Sequence, residues 1–423
     1  KPQTPNPKPQ TPNPKPQREM DIIPVDPILP VEEEGDSFEL VGTVDDLMVR
    51  SIQCRNWMDG SSDGFTAIRY IGNDRIVAGY RSMVSSIAFK LSTNNGKSWS
   101  DCPPVESITG RHIYGIGHNP STGVVMAGTG DEGTPCIVRS TDKGERFSVS
   151  LSTEQIGKVL GMDGTQGLTS VFKCLHLGKG RWLAAVKIVN GDPVTNRMLM
   201  LSEDDGVVWK AIEHKGLCGW ARSVELMSDG TIVLSCPGNL KGEKMGVYLS
   251  SKDDLVNWTR AAEFRAFGAA CEIGDGQFLV GDVSLSEGSA IKIYKMNTRA
   301  PYNPKSVHVY TVSSPTSHWR FIQRICDGRA IAIASCDEVQ RQIRLARVFE
   351  TKDGGSTWRE FGPIITPSGR GTNAIYYGTV TGNGQILWAG QPDELIYEVT
   401  LNDGGTIGPQ LGEVQLKLRS THS

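Results

Sequence analysis

Thr351-Lys352-Asp353-Gly354-Gly355-Ser356-Thr357-Trp358 decides the fold, because its spacing recurs along the chain. Related copies are Ser92-Thr93-Asn94-Asn95-Gly96-Lys97-Ser98-Trp99, Ser140-Thr141-Asp142-Lys143-Gly144-Glu145-Arg146-Phe147 and Ser202-Glu203-Asp204-Asp205-Gly206-Val207-Val208-Trp209. The octapeptide reads as a hairpin turn. Ser or Thr at the first position and Asp at the third can bond backbone N–H groups inside the turn, and Gly at the fifth can take a positive φ without strain. The aromatic at the eighth begins the outgoing strand and packs against the hairpin. A weaker copy, Ser251-Lys252-Asp253-Asp254-Leu255-Val256-Asn257-Trp258, has Leu255 where Gly is expected. The segment from Lys295 to Val309 fills the long interval before Thr351 without a recognisable copy, and Leu401–Gly408 keeps Asp and Gly but loses the hydroxyl and the aromatic.

This pattern resembles the Asp-box, or BNR repeat, of sialidase-like β-propellers. The resemblance implies a fold and almost nothing about an activity, since such boxes close hairpins at the rim opposite the face where propellers gather ligands. A second repeat runs in phase with the first: a strand, a tight turn rich in Gly, Asp or Asn, and a second apolar strand. Asp74, Thr122, Lys179, Asp229, Asp275, Asp327 and Asn383 mark its turns at intervals of 48, 57, 50, 46, 52 and 56 residues, about the chain needed for one four-stranded blade. Each box lies between the third and fourth strands of its unit. The expected fold is an all-β, seven-bladed β-propeller of four-stranded antiparallel blades, with six blades the alternative if an end unit is incomplete. To close the ring, Phe38–Val44 can pair with the C-terminal blade, and Val414–Leu418 offers another such strand.

Ahead of the propeller, Lys1-Pro2-Gln3-Thr4-Pro5-Asn6-Pro7 is repeated at 8–14 and begun again at 15–17. Such a segment cannot pack and reads as an extended Pro-rich arm, about 50 Å long at roughly 3.1 Å per residue. In Ile22–Val31 prolines alternate with large aliphatic residues, which suits a partner's groove or the protein's own surface. The expected domains are residues 1–36, the arm and docking or linker segment, and residues 37–423, the propeller. A formal charge of −3 on 423 residues is too balanced for a nucleic-acid surface, and no apolar run is long enough to cross a bilayer. The nine cysteines are scattered and odd in number and form no C-x-x-C pair, so neither a disulfide framework nor a zinc site is indicated, and no cofactor is called for. They favour folding in a reducing compartment.

Aligning the innermost strands on their turns puts Arg222 and Arg320 each seven residues before the turn markers Asp229 and Asp327. Trp220 and Arg222, and His318, Trp319 and Arg320, then bring an aromatic and a guanidinium to the channel mouth twice. Arg111 and His112 enter the second blade, and Tyr376 has the matching register in the seventh. These residues suit a carboxylate, sulfate or sugar ligand, because Arg grips an anion bidentately and an aromatic face stacks on a sugar ring. The competing reading pairs the arginines with Glu225, Glu272 or Asp282, so that they merely fill the channel.

Sialidases use three arginines on the substrate carboxylate, a Tyr–Glu nucleophile pair, an Asp acid/base and an Arg-Ile-Pro motif. Arg111, Arg222 and Arg320 imitate the arginines, but the Arg-Ile-Pro motif is missing, no Tyr–Glu pair can be assigned, and sialidases have six blades. Glycosidases need two facing carboxylates. Asp63, Glu225, Glu272, Asp282, Asp337 and Glu338 can reach the upper face or channel, yet spacing does not pair them across blades. No nucleophilic-serine, zinc-protease or phosphate-loop motif is present. Two classes follow. The favoured one is a non-enzymatic recognition propeller for a glycan or other anionic ligand, attached by a protein partner of residues 1–35 to a virion or cell surface, or secreted. The alternative is a glycan-active hydrolase or lyase with a divergent site.

Overall fold

The computed structural model describes residues 39–40 and 65–418, except 82–86, 106–111, 131–134, 189–197, 218–222, 237–244, 265–269, 275, 285–289, 312–317, 338–343, 365–373, 381–385, 392–394 and 403–412. The expectations for the arm, residues 1–36, lie outside them. The described chain is almost wholly antiparallel sheet. Successive four-stranded meanders begin with Phe65–Gly72, His112–His118, Leu168–Gly178, Ser223–Leu226, Ala270–Gly274, His318–Cys326 and Ala374–Val380, and are numbered here as blades one to seven. The second and third join through one residue pair, Ser170 with Gly130, into an eight-stranded sheet. Glycine permits that approach. A Cβ on Gly117 would lie 2.0 Å from the Cys174 carbonyl oxygen, and one on Gly128 2.4 Å from that of Val171.

The first strands contact one another in cyclic order, and Ala374–Val380 returns to Phe65–Gly72. The Tyr70 N–H donates to Thr379 Oγ1 at 2.9 Å across that last junction. Glu39 and Leu40 pair with Lys417 and Leu416 outside the last strand of blade seven, so the segment before blade one does join the C-terminal blade, as a fifth strand at its outer edge. Apolar side chains pack between neighbouring blades. One cluster runs from Ala67 to Phe147 across the first two, and others from Leu175 to Trp258 and from Met227 to Met296 join later pairs. A helix not anticipated from the sequence, Thr153–Leu160, links blades two and three. Ser152 and Gln155 cap it reciprocally, and Gly161 ends it at φ 69°.

The repeated octapeptides fold alike. The first-position hydroxyl accepts the N–H of the fifth residue at 2.7–2.9 Å in Ser92, Ser140, Ser202 and Thr351. The third-position oxygen of Asn94, Asp142, Asp204 or Asp353 accepts the N–H of the seventh at 2.9–3.0 Å. The fourth residue is left-handed as well as the fifth, with φ 56° at Asn95, 60° at Lys143 and 58° at Asp205. At the fifth position glycine answers a second demand. Added Cβ atoms on Gly144, Gly206 and Gly355 would meet Val77, Met126 and Leu279 at 2.6, 2.1 and 2.6 Å. Each of those partners lies on the second strand of the preceding blade, so the turn seats one blade on the next. Phe147 extends this seat by stacking on Phe89 of blade one, with ring centroids 3.8 Å apart.

The fourth copy departs from the expected register. Ser251 pairs directly with Asp254 in a tighter hairpin, and Asp254, in place of Asp253, accepts the N–H groups of Val256 and Asn257. Asp253 pairs with Arg181 of blade three at 3.2 Å. Leu255 replaces glycine because here the position is part of the core, 5% exposed and packed with Trp258. After the last strand of blade three, Lys215 exchanges backbone bonds with Val256 and Trp258. The adjacent His214 is 3% exposed, with no hydrogen-bond partner for either ring nitrogen among the described residues.

Two tests follow from these contacts. Gly354→Asn adopts a conformation that Asn95 already holds, and should cost no more than about 1 kcal/mol. Gly355→Ala must displace buried Leu279 at a left-handed position and should cost roughly 2–4 kcal/mol in urea unfolding. Burial lowers the His214 pKa from 6.5 to about 4. The unfolded chain therefore takes up this proton below about 6.5 while the folded protein refuses it until about 4. Unfolding free energy should fall as pH drops across that window, and His214→Phe should make the slope there shallower.

Candidate functional site

Every first strand runs from one end of the ring, the upper face, to its hairpin turn at the other. His112 opens that strand in blade two, half-buried, its ring 6.0 Å from Tyr114, which in turn lies 4.8 Å from Phe172 of blade three. His318, Trp319 and Arg320 are the first three residues of the strand in blade six, and Tyr376 is the third in blade seven. For these four the backbone path is described and the side chains are not. Arg111, Trp220 and Arg222 lie outside the described residues, with Arg111 and Arg222 directly preceding the first strands of blades two and four. Asp63 and Glu338 are also outside, and the side chains of Asp282 and Asp337 are not described.

Among the described residues, ion pairs join the first strands of neighbouring blades, with Lys173 and Arg324 as cations absent from the sequence-level candidates. Lys173 Nζ of blade three lies 2.6 Å from Glu225 Oε1 of blade four, with side chains 13% and 33% exposed. Burial pushes the Lys173 pKa down, Glu225 opposes that, and Arg69 of blade one adds to the lowering. Glu272 of blade five accepts the Ser228 N–H at 2.9 Å, bonds the Ser228 hydroxyl, and lies 3.6 Å from Arg324 of blade six. Arg324 also pairs with Asp327. Glu225 and Glu272, two of the carboxylates offered above as partners for the arginines, are held by Lys173 and Arg324.

Histidines stand at the lower end of the first strands in blades two and three. Burial, then Arg69 and His176, lowers the His118 pKa to about 4, and burial likewise lowers that of His176. Asp205 of the third octapeptide accepts from Asn119 at 2.7 Å and from Trp182 at 2.9 Å, locking blade three to the first turn of blade two. Carboxylates of the octapeptides are therefore consumed in turns. Burial alone would raise the Asp142 carboxyl, but bonds from Ser140 and three backbone N–H groups hold it below its ordinary value. Five of the six free cysteines among the described residues are buried, and Cys326 is exposed. No group of three or more His, Cys, Asp or Glu among the described residues could hold a metal ion, and no helix there is long and apolar enough to cross a membrane.

The channel polar residues had one signal in the sequence. In Val171-Phe172-Lys173-Cys174-Leu175-His176, charged and titratable residues interrupt an otherwise buried strand. Removing one member of the buried pair tests its role. Lys173→Met leaves Glu225 without its cation and should cost about 1–3 kcal/mol, less than for a fully buried pair because Glu225 keeps some solvent. A Lys173→Met/Glu225→Leu double variant should recover most of that loss in the same urea titration.

No family model and no curated protein matches the chain. Among solved structures, YCF48 from Cyanidioschyzon merolae aligns with a TM-score of 0.51 at 14% identity, over 87% of this chain and 98% of its own. The GH74 xyloglucanase from Xanthomonas campestris aligns with a TM-score of 0.54 at 12% identity, over 83% of this chain and 54% of its own. A polysaccharide lyase of family PL25, an ulvan lyase, gives 0.51 at 10% identity, over 85% and 96%. At these identities the likeness concerns fold alone, and together with the cyclic order of four-stranded antiparallel sheets it makes this chain a β-propeller.

Proposed function

We propose that this chain is a recognition propeller of seven blades, of the Asp-box type, that binds an acidic glycan or similar anionic ligand on its upper face and is joined through residues 1–35 to a protein partner in a larger assembly at a cell or virion surface. The observation that carries this reading is the common position of the candidate residues. His112, His318, Trp319, Arg320 and Tyr376 lie in the opening residues of first strands, and Arg111 and Arg222 immediately precede two more. Guanidinium groups and aromatic rings gathered at one mouth suit a carboxylate- or sulfate-bearing sugar. Two structural neighbours, a xyloglucanase and an ulvan lyase, bear names that speak of glycans, which lends support to a ligand of that class. Binding without turnover is favoured because Glu225 and Glu272 are already held by cations, whereas a glycosidase needs two carboxylates free to face one bond.

Titration calorimetry with sialosides and with sulfated and uronate-bearing oligosaccharides tests the reading. Saturable binding without product release is expected. Arg222→Ala and Arg320→Ala should each weaken it about tenfold or more while thermal unfolding stays unchanged. Turnover abolished by the same substitutions would instead make the protein a glycan-active enzyme.

A further inference from the structure

In five blades the described first strand carries an extra residue at a matching height. Its pairing with the second strand slips between Phe65 and Ala67, Ile113 and Gly115, Val171 and Lys173, Trp319 and Phe321, and Ile375 and Gly378. The residue below the slip faces the fifth residue of the second strand in blades one, three and six, at Gly79, Ala185 and Ile333, and the fourth, Gly128, in blade two. A β-bulge leaves its extra residue out of the ladder and re-aims a side chain, and bulges concentrate beside binding sites. The extra residues are Thr66, Tyr114, Phe172 and Arg320, and Tyr376 lies inside the slip of blade seven. Two residues assigned to the upper face, Arg320 and Tyr376, are thus bulge residues, and Tyr114 is their counterpart in blade two. Counting back seven residues from the turn marker Thr122 reaches Gly115 instead, because the first turn of blade two, between His118 and Val125, is longer than those of blades one, three and six.

The bulge side chains of blades two and three meet across the junction. The Tyr114 ring lies 4.8 Å from that of Phe172, inclined at 55°, and 6.0 Å from that of His112. Ile113, between His112 and Tyr114, turns the other way and packs in the cluster between blades one and two. Gly115 allows the close approach, since a Cβ there would lie 3.0 Å from the Phe172 carbonyl oxygen. Phe172 is 6% exposed whereas Tyr114 is half-buried, so Phe172 braces the Tyr114 ring and part of that ring stays open to solvent. A braced aromatic ring beside a polar mouth is a ready surface for the apolar face of a sugar. We propose that Tyr114 is a ligand-contacting residue whose ring stacks on one sugar of the acidic glycan, in the register that blade six fills with Arg320. Its role rests on the upper-face reading above and adds to it a specificity for a sugar ring next to the acidic group.

The test compares the full chain with Tyr114→Phe and Tyr114→Leu by titration calorimetry, using sialosides and sulfated and uronate-bearing oligosaccharides. Phenylalanine keeps the aromatic face and should bind within about twofold of the parent. Leucine keeps apolar packing on Phe172 without that face and should weaken binding about five- to tenfold. A Leu variant that binds as tightly as the parent, while Arg320→Ala binds more weakly, would overturn the role of Tyr114 and leave the upper-face reading standing. A Phe variant as weak as the Leu variant would also overturn stacking. A parent chain that binds none of these oligosaccharides would overturn both. Should Tyr114→Leu fail to fold, difference absorbance decides the matter. Saturating oligosaccharide should perturb the tyrosine bands of the parent, part of that change should be missing from Tyr114→Phe, and identical difference spectra refute the contact.

Discussion

The structure depends on one backbone hydrogen bond, made again and again. The N–H of Asn95, Asp205 and Gly354, each the fourth residue of an octapeptide, donates to the carbonyl of Asp74, Gly180 or Gly328 in the first hairpin turn of the same blade, at 2.8 Å every time. That bond ties the two lower turns of a blade together. It fixes the meander's edge, and only then can the fifth-position glycine be presented flat to the preceding blade. The left-handed pair at positions four and five is what aims the N–H, which is why Asn, Asp and Gly recur there and why Lys143 is the unusual occupant. The bond also outlives the motif. Lys252 donates to Gly230 and Thr298 to Gly276, in the two blades where the octapeptide is altered or missing. Among the described residues the bond thus recurs in five blades, blade two being without it, and the side-chain pattern is the commonest way of meeting it.

From this follows the division of labour between the two ends of the ring. Carboxylates at the lower rim are committed to turn N–H groups, as in Asp204 and Asp353, or to the neighbouring blade, as in Glu145 with Arg75 and Asp253 with Arg181. Their charge stabilises geometry and is not available for chemistry. At the other end lie the segments that enter the first strands, and loops held on a rigid scaffold are where binding residues concentrate. Inside the channel the rule is intermediate. Side chains there must satisfy one another across blades, and Lys173 with Glu225 and Arg324 with Glu272 do so.

Sequence made the fold legible because the turn needs particular side chains at fixed offsets, and a local hydrogen-bond requirement leaves a local trace. Ser202, Asp204, Gly206 and Trp209 are such a trace, and so are the first-turn markers Asp74, Lys179, Asp229 and Asp327, all of which fall between first and second strands. The failures have an equally physical cause. In the fourth octapeptide Asp253 and Asp254 are both plausible turn acids, one residue apart in register. Only the tighter pairing of Ser251 with Asp254 chooses between them. The helix Thr153–Leu160 is a short insertion of 8 residues, and the Ser152/Gln155 capping box is its one local signal in a chain patterned for strands. The channel pairs were invisible because their members come from different blades, more than 50 residues apart for Lys173 and Glu225, and no local pattern records which residues meet across a ring.

That non-locality bears on how function should be sought in such a chain. A turn motif persists under a strict backbone constraint and so marks descent of a fold, whereas a channel is assembled from one or two positions per blade and can change its charge through single substitutions. Lys173 and Glu225 illustrate the point: two residues from two blades make one ion pair, and neither belongs to a repeat. Exchanging either would alter the local charge while leaving every turn-to-turn bond in place. Propellers alike in their rims can therefore differ entirely in what they bind, which is the physical reason that agreement in fold with a xyloglucanase or a lyase at 10–12% identity leaves the ligand to be read from the channel itself.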